Sequence, residues 1–255
     1  MAFLDPVLNP VLKPLLEMSP FITILIVGFV ISLLITLVYK FFTNQEEMKR
    51  LKDQQKEYQV KMKTLKDNPA EMMKVQKEAM SLNMDYMKHS FKATLITMLP
   101  IILIFGWMSG HLAFEPIYPE ESYSVTAFFG DNVGGEAELV VDEGTNLLSE
   151  VKQKIEGPVT WKLKGQEGEH FLVVKVGETE QTKKVLITKK LEYAEPISLY
   201  QHSDIEKIQI NYNKLKPLGP NFTVPLFNWQ PGWLGIYIIF SIVFSMVMRK
   251  ALKIY

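Results

Sequence analysis

Three long stretches almost without charge constrain this chain more than any other feature of its sequence. They cover residues 21–39, 93–113 and 232–248. Because a helix rises 1.5 Å per residue, about 20 residues cross the roughly 30 Å hydrocarbon core of a bilayer. The third stretch is the shortest, and Trp229 and Trp233 extend it into the membrane interface. The sequence therefore predicts a multi-pass protein of the cell membrane with three transmembrane helices.

The charges between these stretches predict how the helices are oriented. Residues 40–92 carry 12 basic and 8 acidic side chains, whereas residues 114–230 carry 12 basic and 18 acidic ones. Basic loops stay in the cytosol, so the first loop and the basic tail are predicted to be cytosolic. The predicted segments are an external N-terminal flank (1–20), transmembrane helix 1 (21–42), a cytosolic hairpin (43–91), transmembrane helix 2 (92–113), an extracytoplasmic β-rich domain (114–230), transmembrane helix 3 (231–248) and a cytosolic tail (249–255).

Apolar or long side chains recur at alternating spacings of three and four in the cytosolic segment, which is typical of a coiled-coil seam. The seam positions are Met48, Leu51, Gln55, Tyr58, Met62 and Leu65 in a first helix, and Met72, Val75, Ala79, Leu82 and Tyr86 in a second. Asn68-Pro69 separates the helices, since Pro69 disfavours helix at Asn68 but suits the first turn of a following helix. We predict an antiparallel coiled-coil hairpin that continues into both membrane helices.

The second hairpin helix carries more apolar surface than one seam requires. A methionine stripe lies roughly 130° around this helix from the seam, at about 100° per residue. It consists of Met73, Met80, Met84 and Met87. Methionine is flexible and polarisable, which suits a surface that binds varied apolar partners. The alternative is that the stripe contacts another subunit or the membrane surface, and anionic lipids would equally explain the basic residues.

Each membrane stretch carries a hydroxyl pair at helical spacing in its cytosolic half. The pairs are Ser32 and Thr36, Thr94 and Thr97, and Ser241 and Ser245, and Lys40 and Lys92 flank the first two. If these faces converge, they form a wet, weakly basic groove that lowers the cost of moving a polar tail through hydrocarbon. Small hydroxyl residues also pack helices together and bond to their own backbone, so helix packing is the alternative.

Residues 118–222 show the alternation and the Gly- and Pro-rich turns of short β-strands. Strands are predicted at 124–129, 137–141, 159–164, 170–176, 183–189 and 207–212, and a short helix at 146–155. Six strands in about 100 residues favour a small β-sandwich, in which FLVVKVGETEQTKKVLITKK forms a hairpin. The predicted fold is thus an α-helical membrane protein with three transmembrane helices and a cytosolic antiparallel coiled-coil hairpin, plus an extracytoplasmic, mostly-β, sandwich-like domain.

The sequence shows no catalytic or metal-binding constellation. It has no cysteine, and His111, His170 and His202 lack the spacing of metal ligands. Neither a nucleophile motif nor a phosphate-binding glycine loop occurs. The triplet at 221–223 fits a glycosylation acceptor at Asn221 in the predicted external segment. We therefore predict a protein that is not an enzyme and that uses no cofactor and no metal.

These features together resemble the archaeal YidC-like family. The resemblance is carried by VYKFFTNQEEMKRLK at the end of the first stretch, the Met-rich hairpin, and SFKATLITMLPIILIFGW at the start of the second. This family lies in the superfamily of YidC and the insertase subunit of the endoplasmic reticulum membrane complex. It implies a membrane protein insertase whose hairpin receives substrates or ribosomes and whose hydrophilic groove opens to the cytosol and to lipid.

By position, the resemblance implies that the four stripe methionines face the substrate and that the six hydroxyl residues line the groove. No arginine lies inside a predicted span, so Lys40 or Lys92 would supply any positive charge there.

The function predicted from the sequence is that of an insertase or chaperone that receives nascent hydrophobic segments at the hairpin and passes them through a polar groove. Its expected partners are nascent membrane proteins and anionic lipids, with the ribosome and other membrane subunits as further candidates and no specific nucleic acid. Two alternatives remain open: a membrane receptor or sensor whose external β-domain binds a ligand, and a channel-forming subunit.

Overall fold

A computed structural model of the protein describes residues 5–65, 68–225 and 228–254. Positions 1–4 of the predicted flank, 66–67 of the hairpin, 226–227 of the β-rich segment and 255 of the tail lie outside the described residues. The chain divides into a helical unit, which contains residues 21–107 and 234–254, and a β unit, which contains residues 9–20 and 108–233. The helices are α1 (Asp5–Leu12), a 3-10 helix (Lys13–Glu17), α2 (Pro20–Phe42), α3 (Gln45–Thr64), α4 (Pro69–Leu112) and α5 (Trp233–Ala251).

Within the described residues, α2, α4 and α5 are long and apolar enough to cross a membrane, which confirms the predicted number of candidate spans. Helix α4 continues without a break from the hairpin segment through the second apolar stretch. The predicted continuity between α2 and α3 is wrong. The cause is Asn44, whose side-chain oxygen accepts hydrogen bonds from the backbone N–H groups of Glu46 (3.1 Å) and Glu47 (3.2 Å) and so begins a new helix.

Within residues 48–89, every seam position is buried or partly buried, whereas nearly all other described positions are exposed. Met48 and Leu51 are buried, and the other nine seam residues are partly buried. The amide of Gln55 donates a hydrogen bond of 2.6 Å to the side-chain oxygen of Asn83, so the two helices contact each other. The spacing of three and four therefore coincides with the less exposed sides of both helices, while the antiparallel coiled-coil hairpin stays a prediction.

Helix α5 extends past the predicted end of the third span at residue 248. Its end is closed by a Schellman motif, in which the N–H of Ile254 donates to the carbonyl of Arg249 (2.9 Å) and that of Lys253 to Lys250 (3.4 Å). Lys253 takes the left-handed conformation that this motif requires, with φ of 52°. Arg249 is therefore a helical residue and not part of an extended tail.

The β unit contains two antiparallel sheets. Its strands are β1 (Tyr123–Phe129), β2 (Glu136–Val140), β3 (Thr145–Leu147), β4 (Lys152–Lys154), β5 (Val159–Gly165), β6 (Gly168–Val176), β7 (Thr179–Ile187), β8 (Ile197–Leu199) and β9 (Ile205–Ile210). The first sheet has the order β3-β5-β1-β9-β8 and the second β4-β2-β6-β7. One hydrophobic core draws on both sheets, with Val125, Trp161 and Leu163 from the first and Leu172 and Val185 from the second. This confirms a separate antiparallel β domain.

All six predicted strands correspond to observed ones, and the predicted hairpin is the pair β6 and β7. Its two-residue turn contains Gly177 with φ of 56°. The helix predicted at 146–155 is wrong. This stretch instead contributes to β3 and β4, two three-residue edge strands held by pairing with β5 and β2.

A carboxylate at the end of β2 joins the two sheets. The side chain of Asp142 accepts hydrogen bonds from the hydroxyl of Thr145 (2.8 Å) and the N–H of Phe171 (3.1 Å), and contacts Nδ1 of His170 at 2.9 Å. Burial raises the pKa of Asp142, but the hydrogen bonds from Thr145, His170 and Phe171 outweigh burial and hold this pKa below its usual value. Position 144 must be glycine here, because a Cβ would lie 2.5 Å from Cε1 of His170.

A second polar link between the sheets is the buried Lys183 of β7, whose side chain is 1% exposed. Its ammonium donates hydrogen bonds to the carbonyl of Glu195 (2.6 Å) and to the hydroxyl of Ser198 on β8 (2.7 Å). Burial lowers the pKa of Lys183 to about 8, although the carboxylate of Glu195 opposes this shift.

Lys183 makes the stability of the β domain dependent on pH. The unfolded chain keeps this proton up to a pKa of about 10.4, whereas the folded protein releases it near pH 8. Between these values the unfolded state binds more protons, so the free energy of unfolding is expected to rise with pH. Urea denaturation at pH 7.5, 8.5 and 9.5 measures this rise, which should disappear in Lys183→Met. Lys184→Met is the matched control, because Lys184 is an exposed lysine on the same strand, and an equal loss of slope there would contradict the assignment.

Candidate functional site

A cleft of about 410 Å³ lies between α2 and α5. Its lining residues are Ser32, Ile35, Tyr237, Ser241, Ile242, Ser245, Met246 and Arg249. Three serine hydroxyls, the phenol of Tyr237 and one guanidinium thus share a recess between two otherwise apolar helices. Such a recess can accept hydrogen-bonding or acidic groups that the surrounding hydrocarbon would not solvate.

Ring contacts fix the relative direction of α2 and α5. Phe21 meets Phe240 and Phe29 meets Phe244, both edge-to-face with ring centroids 5.8 Å and 5.6 Å apart. From the first contact to the second, the residue numbers increase along both helices, so α2 and α5 run parallel. Gly28 faces the ring of Tyr237 on α5, where a Cβ would lie in ordinary van der Waals contact at 3.6 Å.

The structure brings together only half of the predicted hydroxyl residues. Ser32, Ser241 and Ser245 line the cleft. Thr36 and Thr97 are buried and donate to the backbone, Thr36 to the carbonyl of Ser32 (2.6 Å) and Thr97 to that of Ala93 (3.1 Å). These two threonines therefore have the role that the packing alternative describes.

Thr94 takes part in a contact between helices. Its hydroxyl donates to the carbonyl of Ser90 (3.1 Å) and lies 3.0 Å from the hydroxyl of Tyr39 on α2. Thr94 is not among the residues that line the cleft. The hydroxyl of Thr94 thus connects α4 to α2. The second hydroxyl pair does not complete a ring of polar groups around the cleft.

The cation in the cleft is Arg249, which the sequence interpretation placed in the tail. Its Cζ lies 5.3 Å from the ring centroid of Tyr39, a cation–π arrangement. Lys40 and Lys92 are exposed and do not line the cleft, and Nζ of Lys92 lies 5.8 Å from the ring centroid of Phe42. One signal in the sequence could have identified Arg249, since it follows Ser241 and Ser245 at successive intervals of four on one helical face.

The methionine stripe of α4 is exposed along its whole length. The side chains of Met73, Met80, Met84 and Met87 are between 54% and 69% exposed, in contrast to the partly buried seam of the same helix. The stripe is therefore free to contact another apolar surface, and its role in binding substrate stays a prediction.

Metal chemistry finds no support in the part of the chain that the structure describes. No group of three or more His, Cys, Asp and Glu side chains among those residues could hold a metal ion. The hydroxyls and the guanidinium of the cleft are hydrogen-bond donors, and hydroxyls also accept. The cleft can thus form hydrogen bonds with polar groups, and its guanidinium can pair with a negative charge.

Comparison with known protein families finds one family that matches most of the helical part of the chain. The family model of integral membrane proteins described as EMC3/TMCO1-like matches residues 5–127, which include α1 to α4 and most of β1. The match covers slightly less than half of the chain. This family is part of the YidC/Oxa1/Alb3/EMC3 insertase superfamily, which confirms the resemblance found in the sequence, while the archaeal branch stays a prediction.

The match to the EMC3/TMCO1-like family suggests a function related to membrane protein insertion, and that family is not known as one of enzymes. Most of the β domain and all of α5 lie outside the matched residues. No curated protein and no solved structure matches the chain. The family match therefore does not include the cleft residues that α5 contributes.

Proposed function

We propose that this protein inserts membrane proteins with short tails or weakly hydrophobic segments into the bilayer without nucleotide hydrolysis. The observation that carries this proposal is the cleft between α2 and α5, with its three serine hydroxyls and Arg249. The EMC3/TMCO1-like match of residues 5–127 supports the same class of function.

The cleft addresses the main energetic obstacle to insertion. A charged side chain at the centre of a bilayer costs roughly 3 kcal/mol on insertion scales, and unpaired backbone groups add to this cost. A polar tail can form hydrogen bonds with Ser32 and Ser245, and with the oxygen of Ser241, whose own proton is donated to the carbonyl of Ile238 (3.0 Å). Arg249 offers a countercharge to a carboxylate. Each such contact replaces part of the hydration that the tail loses.

The proposed orientation places α3, the first part of α4 and the end of α5 in the cytosol. Two observations support it. The parallel course of α2 and α5 requires both helices to enter the membrane from the same side. Basic residues follow α2 and also lie in and just after the last turn of α5, as expected for cytosolic ends.

In this arrangement the methionine stripe receives the incoming apolar segment. Its four side chains are exposed on the same continuous helix that enters the membrane. The binding free energy comes from apolar contact with the methionines and then with lipid. The ribosome, other membrane subunits and anionic lipids are further partners in this proposal.

Site-specific photocrosslinking tests the proposed path. Photoreactive residues at Met80 and at Ser241 are expected to form adducts with a nascent membrane protein on stalled ribosomes. Two positions serve as matched controls. Val60 is an exposed apolar residue of α3 outside the stripe, and Thr97 is a buried hydroxyl residue outside the cleft. Absence of adducts at both Met80 and Ser241, or equal yields at the control positions, would contradict the proposal.

A receptor or sensor function is the second candidate, and one observation favours it. The β domain is a separate unit that lies mostly outside the family-matched residues. A receptor would keep its function when Ser32, Ser241 and Ser245 are replaced by alanine, whereas an insertase would lose activity. A channel-forming subunit would instead show conductance after reconstitution.

A further inference from the structure

One aromatic side chain connects the three membrane helices of the helical unit. Tyr39 of α2 places its hydroxyl 3.0 Å from the hydroxyl of Thr94 on α4, and its ring 5.3 Å from Cζ of Arg249 on α5. The sequence interpretation assigned no role to Tyr39, and Tyr39 itself does not line the cleft.

The hydrogen-bond pattern determines which hydroxyl donates. The single proton of the Thr94 hydroxyl is directed to the carbonyl of Ser90 at 3.1 Å. The oxygen of Thr94 therefore accepts the proton of Tyr39. This bond joins α2 to α4, and the tyrosine ring offers its face to the guanidinium of Arg249.

The ring contact restricts a side chain that would otherwise be mobile. A free arginine samples many rotamers and loses that freedom when it binds an anion. An aromatic face attracts the guanidinium while leaving its N–H groups free at the edge of the plane. The backbone of Arg249 is also fixed, because its carbonyl accepts the N–H of Ile254 in the Schellman motif.

We propose that Tyr39 is a positioning residue that holds Arg249 at the cleft and thereby sets the preference of the cleft for tails that carry carboxylates. This inference rests on the proposed insertase function. The guanidinium pairs with the carboxylate of the tail, and Tyr39 acts only through Arg249 and makes no contact with the tail.

The first experiment needs no substrate. The chain contains two arginines, Arg50 and Arg249, so the Arg50→Lys protein has Arg249 as its sole target for an arginine-specific dicarbonyl reagent. In the full-length protein in lipid vesicles, Tyr39→Leu is expected to raise the modification rate of Arg249 several-fold. Tyr39→Phe keeps the ring and is expected to stay near the parent rate. Equal rates in Tyr39→Leu and the parent protein would overturn the positioning role.

The second experiment measures charge preference during insertion. Two substrates with the same apolar segment carry either two aspartates or two asparagines in the translocated tail. Tyr39→Leu is expected to reduce the ratio of aspartate to asparagine insertion several-fold, to the value seen in Arg249→Gln. The double variant should show no further loss, and Tyr39→Phe should retain the ratio.

The outcomes separate a positioning role from a structural one. If Tyr39→Leu lowers insertion of both substrates equally, Tyr39 supports the bundle only, and the proposal is overturned. An additional loss of the ratio in the double variant would also overturn it. Failure of the insertase function itself is distinguishable, because photocrosslinks at Ser241 would then be absent while the reagent rates of Arg249 would still report its contact with Tyr39.

Discussion

Replacing Trp161 with alanine is expected to unfold the β domain. The side chain is 0% exposed in the core shared by both sheets, and its Nε1 donates to the carbonyl of Val151 at 3.2 Å. Truncation of a buried Trp to Ala costs about 3–5 kcal/mol, and the carbonyl of Val151 loses one of its two donors while it keeps the N–H of Leu139 (3.0 Å). Domains are stable by only about 5–15 kcal/mol, so the loss is a large share of the total.

Limited proteolysis of the full-length protein in detergent, followed by mass spectrometry, locates the expected cleavages in residues 114–230. Trp229→Ala is the matched control, because Trp229 is 43% exposed and the same atoms are removed. Its effect should stay below about 1 kcal/mol, as for most surface substitutions. Similar protease sensitivity in the two variants would contradict the assignment of Trp161 to the core.

Replacing all four stripe methionines with glutamine is expected to abolish most substrate capture. Glutamine has a helix propensity close to that of methionine, so α4 should keep its fold. Each methionine that loses an apolar contact costs roughly 1 kcal/mol in binding, so four together cost about 4 kcal/mol and should weaken capture by roughly a thousandfold. Crosslinking yields between stalled nascent chains and a photoreactive residue in the cleft, at Ser241, measure this loss.

Two control variants test whether capture depends on apolar character, on methionine itself or on charge. Replacing the same four positions with leucine keeps the apolar surface but removes much of its flexibility, so capture of a single substrate should persist. Replacing Lys74, Glu78 and Asp85, which are exposed on α4 outside the stripe, with glutamine should leave capture nearly unchanged. A comparable loss in the second control would show that the stripe has no special role.

The elements with a strong period were predictable from the sequence. The three–four spacing located the buried sides of α3 and α4, and it distinguished the seam from the exposed stripe. Alternation located β1, β2, β5, β6, β7 and β9. In each case many side chains share one face, so the pattern is repeated often enough to identify the element.

Elements that depend on long-range pairing were not predictable in the same way. Strands β3, β4 and β8 have three residues each, too few to show alternation, and they exist because longer strands pair with them. The inward position of Lys183 on β7 depends on acceptors contributed by β8 and the loop before it. A single sequence does not show those acceptors beside a lysine.

The kinds of residue in the candidate site were predictable from the sequence, but which individual residues line the cleft was not. Serine and threonine pairs pointed to a polar feature, yet only contacts between helices decide that Ser32 and Ser241 line the cleft while Thr97 is buried away from it. Arg249 was missed because hydropathy ends the third span at residue 248, whereas the Schellman motif carries the helix to Ala251.

Because α4 is unbroken, the distance between the methionine stripe and the membrane surface depends on the thickness of the bilayer. A helix of 44 residues is about 66 Å long, more than twice the roughly 30 Å hydrocarbon core. Membrane helices adjust to thin or thick bilayers by changing their tilt. Because Met87 and the apolar stretch lie on the same helix, such a change of tilt moves the stripe towards or away from the lipid headgroups. Bilayer composition would thereby set where an incoming segment first meets the protein.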